Sequence, residues 1–226
     1  MPPTIVLIRH AQGHHNVDND FMLHDPELTS LGKTQCMSLK ASLHTRLGHY
    51  PTKDVAVIVS PMLRTMQTAS IGLDWLKDQG VVFEASADWQ ENSDEPCDTG
   101  SPISKWQAEF PHIDFSNVDP IWPDKTSPAA KRYANTRSAV MERGKMVLEA
   151  LYHRPEKLIY VVSHGAFLRA GVSSFYYHNA DYRIFDFGTK VTETGRRTLT
   201  LSDGMGRGAL GLSPEEPVPL GAGLYD

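Results

Sequence analysis

Short, continuous apolar runs recur along the chain at Thr4–Ile8, Val55–Val59, Val81–Phe83 and Leu158–Val162. They are rich in β-branched residues and show little polar alternation. Strands of a parallel sheet covered on both faces have this pattern. Between the runs, apolar residues fall at helical spacing. Ser30 to about Leu47 carries Leu31, Met37, Leu39 and Leu43, with Thr29 or Ser30 placed to cap it. Pro61 to about Lys77 carries Leu63, Met66, Ala69, Ile71 and Leu76. Ala129 to about His153 is the longest helical pattern, and Gly165 to about Tyr177 follows the fourth apolar run at once. Alternating strands and helices predict an α/β fold, a three-layer α/β/α sandwich around a mostly parallel sheet. Tyr182–Val191 and Arg197–Ser202 read as a hairpin turning at Glu193–Gly195, which would extend the sheet at one edge.

Two stretches break the alternation. Residues 91–128 hold Pro96, Pro102, Pro111, Pro120, Pro123 and Pro128 and read as a long lid or insert over one mouth of the sheet. From about residue 203 the chain is rich in Gly and Pro, which predicts a surface wrap or a partly disordered tail. Neither is expected to form its own core, so residues 1–226 read as one domain.

Composition narrows the function classes. The chain has 226 residues, enough to bury a core without staples, and 40% of them are hydrophobic. Lys and Arg number 22 against 27 Asp and Glu, for a net charge of −5. That balance argues against a general nucleic-acid or anionic-membrane binder. Cys36 and Cys97 cannot make a disulfide framework and match no metal spacing, so both are expected as reduced thiols. No secretory leader, spanning segment or C-terminal address is recognisable, and the cytoplasm is the default compartment. The oligomeric state is left open, a homodimer included.

The chemistry gathers at the strand ends. The first run ends in Arg9-His10, the second leads through Ser60-Pro61 into a helix whose first turn carries Arg64, and the fourth ends in Ser163-His164-Gly165. Ligands of open α/β sheets bind at the carboxyl ends of the strands. Each residue alone has an ordinary structural explanation. Together they would place two imidazoles and two guanidiniums on one patch, which suits a phosphoryl dianion. An imidazole beside that anion can attack phosphorus.

Four segments carry a family resemblance: Arg9-His10-Ala11-Gln12 with Asn16 beyond it, Leu28 to Gln35, Ser60 to Ala69 and Ser163 to Arg169. In this order and spacing they resemble the histidine phosphatase superfamily, which includes phosphoglycerate mutases and fructose-2,6-bisphosphatases. The family's signature has Gly where this chain has Ala11. The resemblance implies a phosphoglycerate mutase-like fold and His10 as the phosphate-accepting nucleophile. It implies that Arg9, Arg64, His164 and Gly165 hold the phosphoryl group, with Asn16 in support. It also implies a carboxyl proton donor after the third strand, for which Glu91 is the first choice and Asp94 and Glu95 are rivals. The activity expected is metal-independent hydrolysis of a small phosphorylated substrate through phosphohistidine, with no cofactor. A phosphomutase, or a protein reusing the pocket to bind a phosphorylated ligand, are the alternatives.

Other features read more plainly. His10 and His14 stand four apart but follow a strand and lack a completing ligand set, so no metal site is expected. Trp89, Trp106, Phe110, Phe115 and Trp122 either shape an apolar pocket or tether the lid. Lys125, Lys131, Arg132 and Arg137 read as a solvated face. The glycines of the tail lack the context of a phosphate-binding loop.

Overall fold

The computed structural model describes residues Met1–Asp226. β1 (Thr4–Arg9), α1 (Ser30–Leu47), β2 (Val55–Val59), α2 (Leu63–Gly72) and α3 (Asp74–Asp78) form the first half. β3 (Phe83–Ala85) leads into the lid, which holds α4 (Ile103–Trp106) and the two-residue β4 (Ile113–Asp114). α5 (Arg137–Tyr152), β5 (Leu158–Ser163), α6 (Gly165–Phe167), β6 (Tyr182–Val191) and β7 (Arg197–Leu201) complete it. The seven strands make one sheet in the order β4-β3-β2-β5-β1-β6-β7. β4, β3, β2, β5 and β1 run parallel, and β6 and β7 add an antiparallel edge.

Strand periodicity sorts the core into two layers. Val6 and Ile8 of β1 and Tyr160 and Val162 of β5 pack with Leu39, Leu43 and Met66 of α1 and α2. Ile5, Leu7, Ile159 and Val161 face the other way, onto Val140, Val147 and Leu148 of α5. The expected α/β/α layering follows from alternate side chains taking opposite faces of the sheet. α1 starts where the sequence indicates, with the Thr29 hydroxyl accepting the Gly32 N–H at 2.9 Å.

Some expected boundaries move. The third strand is Phe83–Ala85 rather than Val81–Phe83, because Gly80 turns the chain with φ +82° and Val82 remains in solvent. The segment after Pro61 divides into α2 and α3 at Leu73. The long pattern from Ala129 is a 3₁₀ stretch, Pro128–Tyr133, followed by α5 with Thr136 as its cap. After Gly165 the chain makes only α6 and a π-helical turn, Leu168–Ser173.

The tail wraps the body. The buried Arg183 guanidinium donates to Gly206 O and Pro214 O, and Asp181 accepts the Leu210 N–H and the Ser213 hydroxyl. Buried carbonyls need donors and buried N–H and O–H groups need acceptors, and Arg183 and Asp181 supply them where no strand neighbour can.

Gly144 lets α5 close onto the π-helical turn. A Cβ there would collide with the backbone oxygen of Gly171. Gly144→Ala is therefore expected to destabilise the fold by about 1–3 kcal/mol through overpacking, outweighing the gain of about 0.5–1 kcal/mol from helix propensity. Urea unfolding of the two proteins measures the difference, and a higher midpoint in the variant would show that the backbones separate freely.

Candidate active site

Register delivers the site. Arg9 of β1 lies opposite Ser163 of β5, and Val59 of β2 lies opposite Val162. The three strands therefore end nearly flush, and His10, Ser60 and His164 emerge side by side. His10 N–H donates to Ser163 O at 2.9 Å and Ser60 N–H to Val162 O at 3.1 Å. Arg64 comes from the first turn of α2, whose Leu63 N–H is accepted by the buried Asp25 carboxylate at 2.9 Å. The two imidazoles sit with ring centroids 5.2 Å apart.

The His10 tautomer follows from its contacts. Nδ1 lies 2.7 Å from Ala11 O, which can only accept, so Nδ1 carries the proton and Nε2 is left with its lone pair. Arg64 Nε donates to that Nε2 at 3.2 Å. His164 Nε2 pairs with the Ser60 hydroxyl at 2.9 Å, and its Nδ1 meets Arg64 Nη2 at 3.1 Å. Burial, with the nearby guanidiniums second, holds both His10 and His164 well below the ordinary histidine range. Both are neutral at physiological pH, and a neutral His10 is the nucleophilic form. Burial also lowers His15, to about 3.

The remaining expected residues converge on the same cavity, about 280 Å³, lined by Arg9, His10, Asn16, Arg64, Glu91 and Gly165 among others. Arg9 Nη1 donates to Tyr177 O at 2.8 Å, and its buried Nε has no partner. Gly165 lies against that guanidinium, and a Cβ on it would come within 3.0 Å of Arg9 Nε. Asn16 Oδ1 accepts from Gly13 N–H at 3.1 Å and from Asn179 Nδ2 at 3.3 Å, and Asn179 also donates to His10 O. Ala11 occurs without a left-handed φ, and its N–H is taken by the Thr68 hydroxyl, so alanine fits there without strain.

The profile of the histidine phosphatase superfamily (branch 1) matches residues 5–198. The chain belongs to this superfamily. A phosphoglycerate mutase-like protein of Arabidopsis thaliana is 31% identical, covering 94% of this chain and 88% of its own. A probable phosphatase of Schizosaccharomyces pombe is 29% identical over 74% of this chain and 76% of its own. Among solved structures, the silkworm ecdysone phosphate phosphatase in complex with tungstate superposes with a TM-score of 0.60. It covers 89% of this chain and 92% of its own at 15% identity, a likeness of fold. The mostly parallel seven-stranded sheet is thus the phosphoglycerate mutase-like fold.

Within this family frame, the carboxylates sort themselves. Glu91 is buried. Oε1 accepts the N–H groups of Asn92 and Phe167 at 2.9 and 2.8 Å, and Oε2 accepts Ala166 N–H at 2.9 Å. Asp94 and Glu95 are exposed and do not line the cavity. The second carboxylate at the site is Asp98, which sequence reasoning missed. Its Oδ1 accepts from Arg64 Nη2 at 2.8 Å and its Oδ2 from the Ser93 hydroxyl at 2.7 Å, while Cys97 O accepts from Arg64 Nη1. Cys97 itself is buried and its thiol is pushed up to about 12, chiefly by burial.

Lys125 corrects the solvated-face reading. It is buried in the lid and donates to Glu91 O and Ser93 O, each at 2.7 Å. Arg143 of α5, also missed, donates to Gln90 O at 2.7 Å and Asn92 Oδ1 at 2.8 Å and lies 3.9 Å above the Phe167 ring centroid. Arg143 had a signal, since it falls on the Val140–Val147–Leu151 stripe of α5, where an apolar residue belongs. Lys125 and Asp98 had none, because their places depend on the path of an irregular segment. The lid aromatics serve as tethers: Trp106 Nε1 donates to Asp25, Trp122 Nε1 to Ser101 O, and Trp89 packs edge-on against Phe167.

Asp98 competes with a phosphoryl anion for Arg64. Asp98→Asn removes that charge, and inorganic phosphate or vanadate is expected to bind about tenfold more tightly, some 1.4 kcal/mol. Weaker binding in a titration would show that Asp98 instead orients Arg64 for the ligand.

Burial lowers Lys125 to about 7. An unfolded lysine keeps its proton to about pH 10.4. Between these values the unfolded chain holds the extra proton, so stability rises with pH by up to about 1.4 kcal/mol per unit. Below about pH 7 both states are protonated and this slope disappears. Urea unfolding of wild type and Lys125→Met at pH 6, 8 and 9.5 should show the wild type gaining on the variant as pH rises. A constant difference would mean that Lys125 stays charged in the fold.

Proposed function

We propose that this chain is a phosphohydrolase that cleaves small phosphate monoesters through a phosphohistidine on His10 and requires no metal. The observation that carries the reading is the His10 ring, with its proton fixed on Nδ1 by Ala11 O and its Nε2 lone pair facing the Arg64 Nε–H, a contact that an arriving phosphoryl group would replace. Nε2 attacks phosphorus in line as the bond to the ester oxygen breaks. Arg9, Arg64 and His164 hold the phosphoryl oxygens and the charge that builds on them. Glu91 is the acid in this reading. Its proton goes to the leaving oxygen, and in the second step the carboxylate takes a proton from the water that attacks phospho-His10. Gly165, one residue before the Ala166 and Phe167 N–H groups that fix Glu91, leaves room for Arg9 beside the acid. The phosphatase-named relative in fission yeast favours hydrolysis over phosphoryl return.

Intact-protein mass spectrometry after a rapid, acid-free quench tests the reading, with a panel of phosphate monoesters as donors and EDTA present. Wild type should gain one transient phosphoryl group, and His10→Ala should gain none and lose at least about 10³-fold in turnover, as removal of a covalent nucleophile does. An adduct that outlives the donor and is handed back to an alcohol would make the protein a mutase. Absence of both adduct and phosphate release across the panel would refute the enzyme reading.

A further inference from the structure

The outer half of the cavity is a different material from the inner half. Three guanidiniums line it. Arg9 and Arg64 belong to the phosphoryl end. The third, Arg169, is laid over the Tyr176 ring, 4.7 Å from its centroid, with Nη1 on the Tyr176 hydroxyl at 2.8 Å. Arg169 makes no ion pair and its buried Nε has no hydrogen-bond partner, while Asp98 stays with Arg64 at the phosphoryl end. What the outer wall does present is aromatic. Phe21 and Tyr176 line it, and they are 51% and 43% exposed. Exposed apolar surface continues from Phe21 to Val17 and Met22 on the same loop. A run of exposed large apolar side chains beside a catalytic pocket is a feature that soluble chains keep for binding.

Both walls are fastened to the phosphoryl grip. Phe21 O accepts the N–H of Cys97, and the Cys97 carbonyl holds Arg64. Tyr176 O is held by Arg183, and the next carbonyl, Tyr177 O, is held by Arg9. The backbone that carries both rings is therefore tied to the groups that hold Arg9 and Arg64.

We propose that the substrate is the phosphate monoester of a ring-bearing, largely hydrophobic alcohol, its ring seated against Phe21 and Tyr176. This rests on the phosphatase reading and names the class of its leaving group. An alicyclic or aromatic body supplies apolar area to these faces.

Alkyl esters with leaving alcohols of similar acidity separate recognition from intrinsic reactivity. The kcat/KM for 2-phenylethyl and cyclohexylmethyl phosphate is expected to exceed that for glycerol phosphate, 3-phosphoglycerate and ethyl phosphate at least tenfold. Phe21→Ser and Tyr176→Ser, both at exposed positions, should raise KM for the ring esters at least five times more than for ethyl phosphate, with kcat little changed. Phe21→Leu should recover most of the preference. A preference for 3-phosphoglycerate or glycerol phosphate would overturn the proposal, as would equal KM increases for every ester. Activation by phosphatidylcholine vesicles that Phe21→Ser abolishes, without any ring preference, would overturn it too, since the loop would then be a membrane contact. If wild type hydrolyses the polar esters through phospho-His10 without ring preference, only this inference fails. If no ester is hydrolysed and His10 is never labelled, the phosphatase reading fails with it.

Discussion

The Arg64 guanidinium is almost completely out of water, and four groups from three parts of the chain meet on it. His10 follows β1, His164 follows β5, and Cys97 O and Asp98 come from the lid. A buried cation is tolerable only when its donors are matched, because the desolvation of an unpaired charge is far larger than one hydrogen bond returns. Arg64 therefore ties the lid to the sheet as firmly as it sets the two imidazoles. Burial and then the Arg64 charge disfavour protonation of His10 and His164, and Arg9 adds to the effect on His10.

Around this centre the cations have two separate tasks. Arg9 and Arg64 face the cavity. Lys125 and Arg143 stand behind it and bind backbone carbonyls of the Asp88–Ser93 segment, not carboxylates. An irregular segment that runs through the interior leaves its carbonyls without a sheet or helix partner. Here two buried side chains supply the donors, and the reward is that Glu91 is held at one place while its own oxygens receive N–H groups from the start of α6.

Much of this could be read from the chain. The strand-end residues Arg9, His10, Arg64 and His164 were legible because strands and helices have fixed periods, and a flush parallel sheet converts sequence position into shared location. α1 was legible closely, with Thr29 or Ser30 as its cap, and Thr29 is the one that caps it. Where the backbone leaves regular periods, legibility stops. Asp98 and Lys125 lie in the lid among residues whose chemistry looks the same as that of Asp94 or Lys131, and only the folded path tells a site residue from a solvated one. Gly80 displaced β3 for a related reason: Val81 and Val82 are good strand formers, but a left-handed turn just before them leaves Val82 beyond the sheet.

Cys97 lines the cavity, yet it takes part through its carbonyl, which holds Arg64, and not through its sulfur. Reactivity toward peroxide belongs to thiolates, and this buried thiol keeps its proton to about pH 12. Phosphatases that use a cysteine nucleophile are silenced by oxidants because their attacking atom is also their most oxidisable one. In this chain the attacking atom would be an imidazole nitrogen, and the nearby sulfur is chemically asleep. On the reading proposed above, an oxidative burst that stops thiol-based enzymes would leave that nitrogen unchanged.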